Sequence, residues 1–172
     1  GDELFRALRA EFGNLPLVAE DLGIITPEVE TLRDAHGLPG MKVLHFAFGS
    51  GADNPYLPHH HIPNSVVYTG THDNNTTLGW FAELDEQTRT HLFDYLGGGP
   101  ERMPELLIRT AFASVARLAV APMQDVLELG SEDRMNRPGV AEGNWRWQFR
   151  WEQVKSGVTE HYRHLLMLYG RL

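Results

Sequence analysis

The sequence pattern that most constrains the fold is a repeated alternation of short apolar runs with segments of helical spacing. Four apolar runs have the length of strands, and they lie at residues 15–19, 42–46, 65–69 and 118–121. Six stretches carry helical spacing or helix start and stop signals, at residues 3–12, 26–37, 77–84, 86–96, 104–117 and 156–168, and Asp85 is the expected cap between the third and the fourth. Such alternation is typical of parallel strands joined by right-handed crossovers. The sequence therefore predicts an α/β fold with a parallel sheet, whose four strands are half of those in an eight-stranded barrel.

Acidic side chains follow three of the four predicted strands, namely Glu20 with Asp21, Asp73, and Asp125. Because the carboxyl ends of parallel strands meet on one face, we expect these groups to converge there. Cleavage of a glycosidic bond needs such a cluster, since one acid protonates the leaving oxygen while a second carboxylate attacks or activates water. The alternative is that Asp21, Asp73 and Asp125 only cap the helices that follow their strands.

His72 directly precedes Asp73, after the apolar run and Gly70. The imidazole can bind a hydroxyl, act as a general base or serve in a turn. Adjacent residues of an extended segment point to opposite faces, so we do not expect a proton relay between Asp73 and His72. The two can line one site only where the chain turns.

The composition argues against several classes of function. A net charge of -8 over 172 residues, without a basic stripe, argues against nucleic acid as a partner. The chain has no cysteine, which removes thiolate metal sites and thiol nucleophiles. It also lacks the nucleophile elbow of serine hydrolases, a phosphate-binding loop and a dinucleotide fingerprint, so we expect no cofactor.

Two aromatic clusters leave alternatives open. His59, His60 and His61 suggest a metal site, but consecutive ligands rarely converge on one ion, which favours a solvated loop and no metal. Trp145, Trp147 and Trp151 can form a platform for stacking sugars, although packing within the protein is the more common use of such residues.

The N-terminal residues give no sign of export. Residues 1–5 are acidic and lack the positive and apolar regions of a signal peptide, and no apolar run approaches the length of a membrane span. We therefore expect a cytoplasmic protein without a membrane partner.

Several motifs together resemble one enzyme family. The motifs that carry the likeness are LVAEDLG at residues 17–23, VYTGTHDN at 67–74, PMQD at 122–125 and GSEDRMN at 130–136. Shorter segments agree with it, namely GMKVL at 40–44, NPYLP at 54–58 and NWRW at 144–147. In these segments the chain resembles the 4-α-glucanotransferases (amylomaltases or disproportionating enzymes, glycoside hydrolase family 77) of the α-amylase clan.

The resemblance implies a (β/α)8 barrel enzyme that transfers an α-1,4-glucan segment, with retention, to glucose or a maltooligosaccharide. Glu20 matches the acid/base position and Asp73 the position that stabilises the transition state. His72 and Asn136 match substrate-binding positions. Asn74 and Tyr56 are weaker matches to sugar contacts.

The chain departs from the family pattern at the nucleophile. The family's nucleophilic aspartate stands in an Arg-x-Asp-His context after the fourth strand, and this chain has no such motif. The resemblance therefore implies that residues 1–172 form a single segment, the C-terminal half of the barrel (strands five to eight), which needs the N-terminal half to be complete. Two alternatives stay open: an α-glucan hydrolase or debranching-type enzyme of the same clan, and a non-catalytic glucan-binding half-barrel.

Overall fold

The computed structural model describes residues 1–14 and 16–172, and it contains three short strands and seven α-helices in that part of the chain. The strands are β1 (Gly40–Val43), β2 (Ser65–Tyr68) and β3 (Leu118–Val120). The α-helices are α1 (Asp2–Phe12), α2 (Pro27–Ala35), α3 (Thr77–Glu83), α4 (Glu86–Leu96), α5 (Glu105–Ala113), α6 (Met123–Val126) and α7 (Val158–Leu168). Single 3-10 turns lie at Leu44–Phe46, Pro58–His60, Pro100–Arg102, Ser131–Asp133 and Trp151–Gln153.

The three strands form one parallel sheet in the order β1-β2-β3. In its register Gly40 pairs with Ser65, and Val67 pairs with both Lys42 and Ala119. The central strand β2 is buried at its first three residues, as expected for a strand with neighbours on both sides. The predicted α/β fold with a parallel sheet is thus confirmed.

Residues 16–19 of the apolar run at 15–19 do not form the fourth strand that the sequence predicts. Leu15 lies outside the described residues, and residues 16–19 carry no strand. Ala19 donates one backbone hydrogen bond to Pro39 O at 2.9 Å, but the next donor of β1, Met41 N–H, bonds to the Asp21 carboxylate at 2.7 Å. A side chain therefore takes the place of the backbone ladder, and the strand prediction is wrong for residues 16–19.

Two other predicted boundaries also shift. The run at 42–46 is a strand only up to Val43 and continues as a 3-10 turn, and the helix predicted over 104–117 ends at Ala113. The predicted break between α3 and α4 is confirmed, because the Asp85 carboxylate accepts a hydrogen bond from Thr88 N at 2.8 Å as an N-cap.

The main core lies between the sheet and helices α3, α4 and α5. Its fully buried members include Leu44, Phe48, Val67, Leu92 and Leu107. A smaller cluster of Ile108, Phe112 and Leu165 joins α5 to α7. No helix in the described part of the chain is both long and apolar enough to cross a membrane.

The far side of β3 is open. Leu118 and Val120 are 52% and 41% exposed, although both are apolar strand residues. Across the sheet, the apolar Leu17 and Val18 beside β1 are exposed as well. Both margins of the sheet thus present apolar residues and backbone that a further strand can cover.

Candidate active site

A cleft of about 820 Å³ opens at the carboxyl ends of the three strands. Glu20, Tyr68, His72, Asp73 and Asn74 are among the residues that line it. Ligand sites of open α/β sheets and barrels occupy this position because the strand-to-helix loops converge there.

The loop after β2 brings His72 and Asp73 to the same side. Asn74 Oδ1 accepts hydrogen bonds from both the backbone N–H and the hydroxyl of Thr71, each at 2.8 Å, so residues 71–74 form a tight turn. Within it, His72 Nε2 lies 3.4 Å from Asp73 Oδ1. Adjacent residues point to opposite faces only in an extended segment, and His72 and Asp73 lie in a turn, so both can face the cleft.

Gly70 lets this loop pass close to a buried imidazole. A Cβ at residue 70 would lie 2.6 Å from the His45 ring, so a larger residue would collide with it. The His45 ring stacks on Trp80 at a centroid distance of 4.5 Å and lies 3.0 Å from Thr77 Oγ1 through Nε2. Burial lowers the pKa of His45 to about 3, which keeps the ring neutral.

Asp125 holds both ends of the loop that carries His72 and Asp73. Its Oδ2 accepts the hydroxyls of Thr69 and Thr77 at 2.7 Å each, and its Oδ1 accepts Thr77 N–H at 2.7 Å. The residue is 1% exposed, and burial raises its pKa although the hydrogen bonds from Thr69 and Thr77 oppose that rise. Asp125 is therefore an anchor behind the cleft.

Both carboxylate oxygens of Asp21 are also used in structural contacts. One of its oxygens accepts Met41 N–H, and the other forms an ion pair with Arg33 Nη1 at 2.5 Å. Of the four carboxylates that the sequence predicts to follow strands, Asp21 and Asp125 are thus occupied by structural contacts, whereas Glu20 and Asp73 line the cleft.

Glu20 is exposed in the cleft, next to Tyr68. Burial raises the pKa of the Tyr68 phenol, and the charge of Glu20 adds to that rise. The sequence reasoning did not select Tyr68. Its signal is its place as the last residue of β2, where an aromatic side chain reaches the strand-end face.

Asp73 also receives contacts from the loop after β3. Asn136 Nδ2 donates to Asp73 Oδ1 at 2.5 Å, and Arg134 Nη2 donates to Asp73 O at 2.6 Å. Arg134 Nε donates in turn to the backbone carbonyl Asn136 O at 2.7 Å, which ties the arginine side chain to the backbone that carries Asn136. The structure therefore gathers His72, Asp73, Asn74 and Asn136; Arg134, which belongs to the quoted GSEDRMN motif, is a contact that the sequence reasoning missed.

Tyr56 neighbours the lining of the cleft. It is not one of the described residues that line the cleft. Its ring packs edge-on against the ring of Phe46, which lines the cleft, with 5.5 Å between the ring centroids. Burial raises the pKa of Tyr56, and the charge of Asp21 adds to the effect. A direct sugar contact by Tyr56 stays a prediction.

The three consecutive histidines contact different groups. His61 bonds to Ser114 Oγ and Tyr56 O, at 2.7 and 2.9 Å. His59 and His60 both reach Ala52 O. Their rings therefore serve to hold the loop that contains them.

The parallel sheet and the cleft lined by Glu20 and Asp73 define an α/β protein with a carboxylate-bearing site. The chain belongs to the 4-alpha-glucanotransferase family, whose model matches residues 1–154. It is 53% identical over 174 residues to the 4-alpha-glucanotransferase of Synechocystis, covering 99% of this chain and 34% of that protein. It is 46% identical over 176 residues to the chloroplastic/amyloplastic 4-alpha-glucanotransferase of Arabidopsis thaliana, covering 100% of this chain and 31% of that protein.

A solved structure gives the same result. The fold superposes on an amylomaltase from Streptococcus agalactiae, determined in complex with acarbose, with a TM-score of 0.93 and 33% sequence identity. The match covers 98% of this chain and 34% of that one. This chain thus spans about a third of the length of the relatives that it matches.

Proposed function

We propose that this chain works as part of a 4-α-glucanotransferase that moves segments of α-1,4-glucans to glucose or maltooligosaccharides with retention. The observation that carries the proposal is the family match over residues 1–154. In this account residues 1–172 are one segment of the catalytic domain, the C-terminal half of a (β/α)8 barrel. The name of the Synechocystis relative, 4-alpha-glucanotransferase, and the acarbose complex of the streptococcal amylomaltase support it.

Glu20 acts as the acid/base group in the proposed reaction. It protonates the glycosidic oxygen as that oxygen leaves the anomeric carbon and the carbon bonds to the nucleophile, which another segment supplies. It later removes a proton from the acceptor hydroxyl, whose oxygen displaces the nucleophile at the anomeric carbon. Its exposure in the cleft beside Tyr68 gives it access to a sugar oxygen.

Asp73 stabilises the positive charge that develops on the sugar ring in the transition state. The contacts from Asn136 and Arg134 hold the carboxylate in place without removing it from the cleft. His72, Asn74, Asn136 and Tyr56 are the proposed contacts to sugar hydroxyls.

The nucleophile and the rest of the barrel come from residues outside this chain. No Arg-x-Asp-His segment occurs in the sequence, and the relatives are about three times longer. The open margins of the sheet at β3 and at residues 16–19 suit the N-terminal half as the partner that covers them. A cytoplasmic location stays a prediction, since the Arabidopsis relative is named as a plastid protein.

Substitution of the two acids in the complete polypeptide tests these roles. Glu20→Gln and Asp73→Asn should each lower kcat on maltotriose by about a thousandfold, because each removes a group used in the transition state. Glu30→Gln, on the exposed face of α2, is the matched control and should keep its activity. Full activity of either active-site variant would refute the assigned role.

The products separate the proposal from its alternatives. Transfer yields oligosaccharides both longer and shorter than maltotriose, whereas a hydrolase of the same clan yields only shorter ones. A non-catalytic glucan-binding half-barrel would leave maltotriose unchanged, and its pairing would appear in sedimentation with and without maltooligosaccharide.

A further inference from the structure

Trp145 has an unusual backbone conformation beside the cleft. Its φ is 61°, and among the described residues other than glycine only Glu128 shares a positive value. Bulky side chains rarely adopt this region, and residues held there concentrate at functional sites. We therefore ask where this backbone conformation places the Trp145 indole.

The loop of residues 135–145 imposes this conformation. Trp145 N–H donates to Met135 O at 2.9 Å and closes the loop. The Asn144 side chain accepts from Arg137 N at 2.9 Å and donates to Val140 O at 2.8 Å, which fixes the residue just before Trp145. The indole is thus placed by the backbone, with little help from packing, because Trp145 is 62% exposed.

The fixed indole lies next to the proposed catalytic residues. Its ring is 5.0 Å from the His72 imidazole, centroid to centroid, with the planes inclined at 43°. The same loop carries Asn136, which bonds to Asp73 Oδ1. Trp145 therefore lies against His72, which in turn lies beside Asp73, and both His72 and Asp73 line the cleft.

The two neighbouring tryptophans are placed differently. Trp147 donates its indole N–H to Asp133 Oδ1 at 2.9 Å and stacks on Phe149. Trp151 packs edge-on against Phe149 and lines a different pocket, beside Val158 and Tyr162. Of the three, only Trp145 contacts a residue of the cleft lining through its ring in the described contacts.

We infer that Trp145 is a glucan-binding residue, whose indole packs against a pyranose ring of the α-1,4-glucan beside the sugar held by His72 and Asp73. A glucose ring has faces formed by C–H groups, and the electron-rich face of an indole is a good surface for them. Binding sites combine such an aromatic wall with a few polar groups that fix orientation, here His72 and Asp73. The inference rests on the proposed function, because it takes an α-glucan as the ligand.

Kinetics of the complete polypeptide on maltooligosaccharides test the inference. Trp145→Ala should raise KM by about tenfold, the size expected for loss of one aromatic contact. It should leave kcat nearly unchanged, because the contact exists in both the ground state and the transition state. Trp145→Phe retains a ring and should recover most of the loss.

Two further variants separate the ring from its backbone. Trp145→Gly removes the indole and relieves the positive φ, so it should show the same rise in KM with no loss of thermal stability. Trp151→Ala removes an exposed tryptophan that lines a different pocket and should keep the KM of the wild type.

The possible results are distinct. An active wild type with an unchanged KM for Trp145→Ala would refute the inference and leave the proposed function intact. A fall in kcat alone would also refute it, because the ring would then position His72 without binding sugar. A wild type that neither binds nor converts maltooligosaccharides would refute the proposed function and the inference with it.

Discussion

The position of Asp73 depends on a different carboxylate, Asp125, which is buried behind the cleft. Asp125 accepts hydrogen bonds from Thr69 and Thr77, the residues on either side of the loop that carries Asp73. Asp125→Ala should lower the free energy of unfolding by about 3 kcal/mol, because it leaves three buried donors without an acceptor. Asp125→Asn keeps one acceptor oxygen and should cost about 1 kcal/mol.

Urea unfolding monitored by circular dichroism measures these values. Asp94→Ala, at an exposed position of α4, is the control and should change stability by less than about 0.5 kcal/mol. An alanine variant as stable as this control would show that Asp125 does not anchor the loop.

His45 should make the protein sensitive to acid. Its pKa is about 3 in the folded chain, against 6.5 for an ordinary histidine, because burial penalises the charged ring. The unfolded chain therefore binds a proton first, and stability is lost as the pH falls from 6.5 towards 3. Between pH 7 and pH 4.5 the loss from this residue should be about 2–3 kcal/mol.

Unfolding curves of the wild type and of His45→Gln at both pH values check this expectation. The variant should lose less stability on acidification, since glutamine does not titrate. His60→Gln, at an exposed loop position, should behave as the wild type does. Parallel losses in wild type and His45→Gln would contradict the account.

The connection from β2 to α3 requires a glycine at residue 70. A Cβ there would lie 2.6 Å from the ring of His45, which is itself packed against Trp80. Gly70→Ala should therefore cost about 2 kcal/mol and displace the loop that carries Asp73. Gly49→Ala is a matched control, because its Cβ would meet no atom within 4 Å. Thermal unfolding of the two variants should differ clearly; equal midpoints would refute the close approach.

The C-terminal end of α5 is capped by an arginine from the far end of the chain. Arg171 donates to Phe112 O and Ser114 O at 2.6 Å each, and burial lowers the pKa of its guanidinium. Arg171→Ala should lower the free energy of unfolding by about 2 kcal/mol, because helix-end carbonyls lose their donors. Arg163→Ala, on the exposed face of α7, should have little effect in the same thermal measurement.

The parallel sheet could be predicted from the sequence because alternation of apolar runs and helical segments is a property of the whole chain. The absence of a strand at residues 16–19 could not be predicted from the sequence. It depends on a hydrogen bond between the Asp21 side chain and Met41 N–H, which are 20 positions apart in the sequence. Likewise, Glu20, Asp73 and Asp125 are all acids that follow a predicted strand, so the sequence does not distinguish them. Only the tertiary structure shows that the Asp125 carboxylate is buried against Thr69 and Thr77.

The contacts of Asp73 could not be predicted from the sequence either. The quoted motif contains both Arg134 and Asn136, but the arginine binds the Asp73 backbone while the asparagine binds its carboxylate. That division depends on how the loop after β3 folds over the loop after β2. Tyr68 stands near the end of the apolar run at residues 65–69, but the run does not show where β2 ends and therefore which residue reaches the strand-end face.

For the molecule as a whole, the central claim is that this chain holds the acid/base group and the stabilising carboxylate of a glucan transferase, while another segment holds the nucleophile. The most direct measurement is the product pattern from maltotriose, with the 172-residue chain alone and with the same chain joined to its N-terminal complement. The account predicts no conversion by the chain alone, and glucose together with longer maltooligosaccharides from the complete polypeptide. Release of glucose from maltotriose by the pure 172-residue chain would contradict it.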